Sequence, residues 1–279
     1  MITISQNARA QIVKPTIFPD GTSQIWQLAL ADFEASPVNI IWHFEQEAEL
    51  VWVNQLISLL NAINIEIAEL FIPYLPYARQ DKAISNESTF AKQVFLNMLF
   101  TNKVNKISTL DVHSHDDVVS SYSPAVYIAQ AIATFKPTVL VFPDASAYKR
   151  YAQVLDTSLF AVIVLDKVRN QATGQISALT LDTTNTTASL IEASVDLSIL
   201  QSYQMLIIDD ICDGGATFIN AALYLHTHYQ CQVALYVTHG IFSKGFEKMI
   251  SAGISAFFTT QSLIKNVTGF ALKALTSEL

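Results

Sequence analysis

Eight short apolar runs with strand character punctuate the chain: 39–44 (NIIWHF), 67–72 (IAELFI), 106–112 (KISTLDV), 138–142 (TVLVF), 161–166 (AVIVLD), 205–208 (MLII), 233–239 (VALYVTH) and 256–260 (AFFTT). Helical periods lie between them. Leu56, Leu59, Leu60 and Ile63 fall at i, i+3, i+4 and i+7, and Phe218, Ala221, Ala222 and Leu225 repeat the spacing, so each set predicts a helix with one core-facing stripe. Strands apolar on both faces must be covered on both, and the intervening helices supply the cover. The pattern predicts an α/β chain of mainly parallel sheets flanked by helices. A seam falls at Lys136-Pro137, where a fresh strand begins, and divides the chain into two α/β halves, 1–137 and 138–279. No low-complexity linker or short-period repeat interrupts them. With 51% of residues hydrophobic and 14% charged, the chain can bury a sizeable core.

The formal net charge of -8 leaves no basic surplus to follow a nucleic-acid backbone, so such a partner is disfavoured while a local phosphate site is not. The first residues, MITISQNARAQIV, lack the basic and apolar regions of a secretory signal. Stretches without charge, such as 118–135, are broken by Ser, Gln and Pro, so no membrane span and a cytoplasmic location are expected. Cys212 and Cys231 lack metal-binding spacing and read as two buried thiols.

Residues 205–218, MLIIDDICDGGATF, carry the strongest chemical signal. Ligands of parallel sheets gather at the carboxyl ends of strands, where Asp209 and Asp210 follow the run 205–208. Asp213, Gly214, Gly215, Ala216 and Thr217 then form a short loop into a helix, and a glycine-permitted turn at a helix N-terminus offers backbone N–H groups to a phosphate. Thr217 adds a hydroxyl donor or caps the helix. A carboxylate about 4 Å from a phosphate charge would cost roughly 4 kcal/mol at an effective dielectric near 20. The acids are therefore suited to ribose hydroxyls, or to Mg²⁺ with its water shell.

This string resembles the phosphoribosyl-diphosphate (PRPP) binding motif shared by type I phosphoribosyltransferases and ribose-phosphate diphosphokinases, the PRPP synthetases. Gly214 stands where the motif usually has threonine, and Ala216 where it has a second glycine; if that position needs positive φ, alanine is strained. The resemblance to the synthetases extends over nearly the whole chain. FIPYLPYARQDK (71–82) is similar to their adenine-binding strand and loop, which implies ATP contacts from Arg79, Gln80 and Asp81. TLDVHSHD (109–116) resembles their Asp-x-His, implying a magnesium role for His113, and VFPDASAYKR (141–150) their pyrophosphate loop, implying a second metal contact from Asp144. LDKVRNQATG (165–174) resembles their mobile catalytic loop, with Lys167 and Arg169 as its paired cations. IFPDGTSQI (17–25) resembles a segment that reaches the ATP site of a neighbouring subunit; Phe18 would stack on adenine and Asp20 accept from its amino group, while Thr22 replaces the usual glutamate. THG at 238–240 is also similar to the family.

The resemblance implies two tandem phosphoribosyltransferase-like domains, 1–137 with ATP-binding elements and 138–279 with the ribose 5-phosphate loop, in a homo-oligomer. It implies Mg²⁺-dependent transfer of the diphosphoryl group of ATP to ribose 5-phosphate, giving AMP and PRPP. Two alternatives remain open at this point: a PRPP-consuming phosphoribosyltransferase, and a catalytically silent, synthetase-like regulatory subunit.

Overall fold

The computed structural model describes the chain except residues 27, 30–32, 34–36, 84, 100–103, 115–116, 170–175, 196–201, 264–271 and 276–279; for 167–169, 176–178, 193–195 and 272–275 it describes the backbone alone. Two compact units result, Met1–Tyr122 with Ser262–Ile264, and Ser123–Gln261 with Lys265–Leu279.

The first unit opens with an antiparallel hairpin, β1 (Ile2–Gln6) and β2 (Arg9–Val13). Its two-residue turn places Asn7 at φ 53°, a conformation asparagine tolerates better than most side chains. A small hairpin, β3 (Thr16–Ile17) and β4 (Ser23–Gln24), follows. Then come β5 (Val38–Trp42), α1 (Glu49–Ala62), β6 (Ile67–Phe71), α2 (Ala91–Leu99), β7 (Ile107–Leu110) and β8 (Val119–Tyr122). The sheet order is β2-β1-β5-β6-β7-β8, parallel from β5 onward and antiparallel at the β1–β2 edge. The helical stripe on α1 differs from the expected one. Leu50, Val53, Leu56, Ile57 and Leu60 form the buried face, while Ile63 is the C-cap residue and 45% exposed, because the helix ends before the stripe completes its second turn.

In the second unit α3 (Ala125–Phe135) ends on Lys136 in the left-handed conformation, and Pro137 then turns the chain into β9 (Val139–Phe142). Next are α4 (Ala145–Tyr151), β10 (Ala161–Arg169), β11 (Ile176–Leu181), α5 (Ala188–Val195), β12 (Tyr203–Cys212), α6 (Ala216–His228), β13 (Cys231–Gly240), α7 (Glu247–Ser251), β14 (Ile254–Thr260) and β15 (Leu272–Leu275). The sheet order is β11-β10-β9-β12-β13-β14-β15, parallel except for β11. β12 and β13 are buried along almost their whole length, as their two-sided apolar runs require. All four stripe residues of α6, Phe218, Ala221, Ala222 and Leu225, are buried in this unit's core. Cys212 is buried and Cys231 half-buried, both as free thiols; burial pushes the Cys231 thiol up to about 11. Among the described residues no helix is long and apolar enough to cross a membrane.

Candidate functional site

β12 does not stop at Ile208. It continues through both acids to Cys212, with Asp209 in register with Val237 and Cys212 with Gly240 of β13. Neighbours on a strand point to opposite faces, and the two carboxylates accordingly have different surroundings. Asp210 is buried and its Oδ2 pairs with Arg150 Nη1 of α4 at 2.5 Å. Asp209 Oδ1 accepts the Asp210 N–H at 2.9 Å. Burial, then the charge of Asp210 and that of Asp144, hold the Asp209 carboxyl well above its usual 3.8. One acid of the pair is thus paired with a guanidinium, and in the other burial and neighbouring charge disfavour ionisation. The repulsion expected between three carboxylates and a phosphate is reduced within the protein itself.

The loop that follows is shaped by Gly215. It is the N-cap of α6 in the left-handed region (φ 78°), and a Cβ there would lie 2.8 Å from Met249 Sδ. The positive φ falls on Gly215, so alanine at 216 sits in ordinary helical conformation and is unstrained. Thr217 lies inside the first turn; the N-cap carries no side-chain capping bond, so the capping role offered for Thr217 is not the one it takes. The first turn of a helix presents N–H groups beyond its own ladder, here beside Gly214 and Gly215. Asp213 accepts a hydrogen bond from Ser243 Oγ.

Asp144 follows β9 and is the N-cap of α4, its Oδ1 accepting from Ala147 N–H at 2.9 Å. Lys167 and Arg169 lie on β10 itself, their backbones in register with Leu179 and Ile176 of β11; the expectation of a loop there is corrected to a strand end. Their side chains, and residues 170–174 of the expected loop, lie outside the described residues.

In the first unit, the turn between β3 and β4 is closed by Phe18 N–H on Thr22 O at 2.8 Å. Phe18 is 37% exposed. Asp20 Oδ1 accepts from Thr22 Oγ1 (2.7 Å) and Thr22 N–H (3.0 Å), which lowers its pKa. After β6, Tyr77 takes φ 60° and its hydroxyl donates to Glu47, an interaction that pushes the phenol up to about 12. Gln80 N–H closes the turn on Tyr77 O at 2.9 Å, leaving Arg79 and Gln80 exposed and Asp81 half-buried. At the end of β7, Asp111 is buried with φ 47°, its N–H on Tyr122 O at 2.9 Å, and Val112 N–H donates to Ser121 Oγ at 3.0 Å. This seats His113, half-buried, beside Ser114.

Lys92, which the sequence reading did not single out, joins these two stretches. Its N–H donates to Gln80 O at 3.2 Å, and its ammonium, almost wholly buried, donates to Ser114 Oγ at 3.3 Å. The structure therefore brings 79–81 and 111–114 together within the first unit, and Asp144, Arg150 and 209–217 together within the second. Among the described residues no hydrogen bond ties the 18–22 turn to either stretch of the first unit. Arg150 and Ser243 also went unassigned from sequence; both act on acids tens of residues away, and nothing local announces them.

Among the described residues no group of three or more His, Cys, Asp or Glu gathers as a metal cage. Magnesium usually keeps several waters and binds through one or two carboxylates together with substrate phosphates, and a single carboxylate such as Asp144 fits an ion of that kind, whereas the His113 imidazole suits contact through a water or with a phosphate.

No family model matches the chain. Ribose-phosphate pyrophosphokinase 2 of Saccharomyces cerevisiae is 29% identical over 203 residues, covering 69% of this chain and 58% of that relative. Ribose-phosphate pyrophosphokinase 4 of the same yeast is 29% identical over 225 residues, covering 75% and 63%. The ribose-phosphate pyrophosphokinase of Sulfolobus acidocaldarius is 23% identical over 260 residues, covering 90% and 84%. The crystal structure of phosphoribosylpyrophosphate synthetase from Mycobacterium smegmatis superposes with a TM-score of 0.72 over 95% of this chain and 85% of that one, at 18% identity. The chain is thus similar to ribose-phosphate pyrophosphokinases over two thirds or more of its length. It spans about three fifths of the length of the yeast pyrophosphokinases it matches. The likeness to the mycobacterial structure establishes the shared fold of two parallel-rich sheets flanked by helices.

Proposed function

We propose that this chain is a ribose-phosphate diphosphokinase, transferring the diphosphoryl group of ATP to the anomeric hydroxyl of ribose 5-phosphate. The observation that carries the proposal is the electrostatic design of the β12–α6 turn. Asp210 is matched by Arg150, the Asp209 carboxyl is held above its ordinary range by burial and its acidic neighbours, and the glycine loop beside them opens a helix N-terminus. That arrangement suits a ligand with hydroxyl groups at one end and a phosphate at the other.

In this reading the N–H groups of Gly214, Gly215, Ala216 and Thr217 hold the 5-phosphate, and Asp209 meets ribose hydroxyls as donor or acceptor. Asp210 and Asp213, tied to Arg150 and Ser243, hold the turn in shape. Arg79, Gln80 and Asp81 receive the nucleotide, with Phe18 and Asp20 supplied by a neighbouring copy of the chain. His113 in the first unit and Asp144 in the second are each candidates to hold magnesium, which would supply charge neutralisation and orientation of phosphate oxygens. The anomeric oxygen bonds to the β-phosphorus, the bond from that phosphorus to the oxygen bridging the α-phosphorus breaks, AMP leaves with that oxygen, and the hydroxyl proton passes to solvent. Such a transfer depends on alignment and charge neutralisation rather than a protein nucleophile, and Lys167 and Arg169 supply positive charge as the transition state forms. A homo-oligomer is part of the proposal and is checked by light scattering.

The test is direct. Purified protein with Mg²⁺, ATP and ribose 5-phosphate should yield AMP and PRPP in equal amounts. Consumption of PRPP with a nucleobase, without PRPP synthesis, would make it a transferase; inertness in both mixtures would make it a silent subunit.

A further inference from the structure

β13 ends at Gly240, and the residues after it fold back onto the acid-glycine loop. Ile241 and Phe242 N–H both donate to Cys212 O, at 2.8 and 3.1 Å, and Gly245 N–H donates to Phe242 O at 3.0 Å. Phe242 and Gly245 hold positive φ, 47° and 68°. The result is a tight turn with Ser243 and Lys244 at its tip. Gly240 permits this return, since a Cβ there would stand 2.2 Å from the Phe242 ring. A non-glycine residue at φ 47° is a strained conformation that persists only where its surroundings impose it, and here it fixes where the tip points.

Ser243 secures the tip by its bond to Asp213. Lys244 then lies across Gly214: a Cβ at 214 would be 3.3 Å from Lys244 Cδ, 3.4 Å from Cε and 3.7 Å from Nζ. Glycine at 214 makes the room that this stem occupies. Among the described residues the Lys244 ammonium enters no hydrogen bond or ion pair, although the stem is laid against the loop. Arg150 is already committed to Asp210, whereas the Lys244 stem lies against Gly214.

We infer that Lys244 is a binding residue for the phosphate monoester of the sugar substrate, adding a full positive charge to the N–H groups of 214–217 and so favouring a phosphorylated over an unphosphorylated pentose. The inference rests on the sugar-phosphate reading of this loop. Backbone N–H groups alone hold partial charges, whereas an ammonium forms a charge-assisted hydrogen bond with a dianion.

Isothermal titration of ribose 5-phosphate into wild-type protein, Lys244→Ala and Lys244→Arg tests it. Lys244→Ala should weaken binding about tenfold, as expected for one hydrogen bond to a charged group, and Lys244→Arg should recover most of the loss. In turnover assays the same factor should appear in the KM for ribose 5-phosphate, with the KM for ATP moving less than twofold. Affinity within twofold of wild type in Lys244→Ala overturns the inference and leaves the diphosphokinase reading standing if wild type makes PRPP. Lys244-dependent binding by a protein that makes no PRPP sustains the inference and removes the synthetase reading. A wild-type chain that does not bind ribose 5-phosphate removes both.

Discussion

The candidate residues of the two units are held in contrasting ways. In the second unit they sit at the ends of buried strands: Asp210 is ion-paired, Asp213 hydrogen-bonded, and Gly215 at positive φ with Met249 packed where a Cβ would stand. In the first unit Phe18, Arg79 and Gln80 project from exposed turns, and Asp20 is engaged by its own neighbour Thr22. The proposed sugar-phosphate side is held by buried partners, and the proposed nucleotide side consists of surface turns. Preorganised charges contribute most where charge develops in a reaction, so substitutions in the second unit should affect stability and chemistry together, and those in the first mainly nucleotide affinity.

Four substitutions would break or sharpen this contrast. Lys167→Ala should lower turnover by about 100-fold or more with nucleotide affinity changed only a few-fold, measured by steady-state kinetics and ATP titration. Unchanged turnover would remove it from the mechanism. Arg150→Ala should destabilise the fold by roughly 3 kcal/mol in chemical denaturation, because Asp210 is left buried without its partner beside Asp209. Adding Asp210→Asn should recover much of that loss; an additive double mutant would show that the pair does not act as one.

Asp209→Asn should raise the melting temperature while lowering activity. Its carboxyl has a raised pKa, so ionisation is disfavoured in the folded chain: below the ordinary 3.8 both states are protonated and carry no penalty, and the penalty grows as pH rises from there toward the folded value. The gain from asparagine should therefore be larger at pH 7 than at pH 3, and a gain that shrinks as pH rises would contradict the shift. Thr22→Ala, on an exposed turn, should leave melting unchanged and alter the KM for ATP by no more than a few-fold. A cooperative loss of stability would show the first unit's turn to be built like the second unit's loop.

The fold was legible where chemistry and periodicity coincide. Two-sided apolar runs such as 205–208 and 233–239 can only be central strands, and the acids after the first of them mark its carboxyl end. The β1–β2 hairpin was not anticipated, though ITISQ alternates and Asn7 marks its turn, because edge strands bury one face and leave a shorter apolar signal. Ile63 misled because periodicity does not say where a helix stops. Within the site, the acids and glycines were visible because they are contiguous. Arg150, Lys92, Ser243 and Lys244 were not, since each lies against residues that only the tertiary structure brings near.

The most direct measurement of the proposed reaction uses ATP labelled at the β-phosphorus, with Mg²⁺ and ribose 5-phosphate, and follows where the label goes. One β-label recovered in PRPP for every AMP formed is expected, with none in ADP-coupled products or orthophosphate. Label that stays in ADP, or appears as free phosphate without PRPP, would contradict diphosphoryl transfer by this chain.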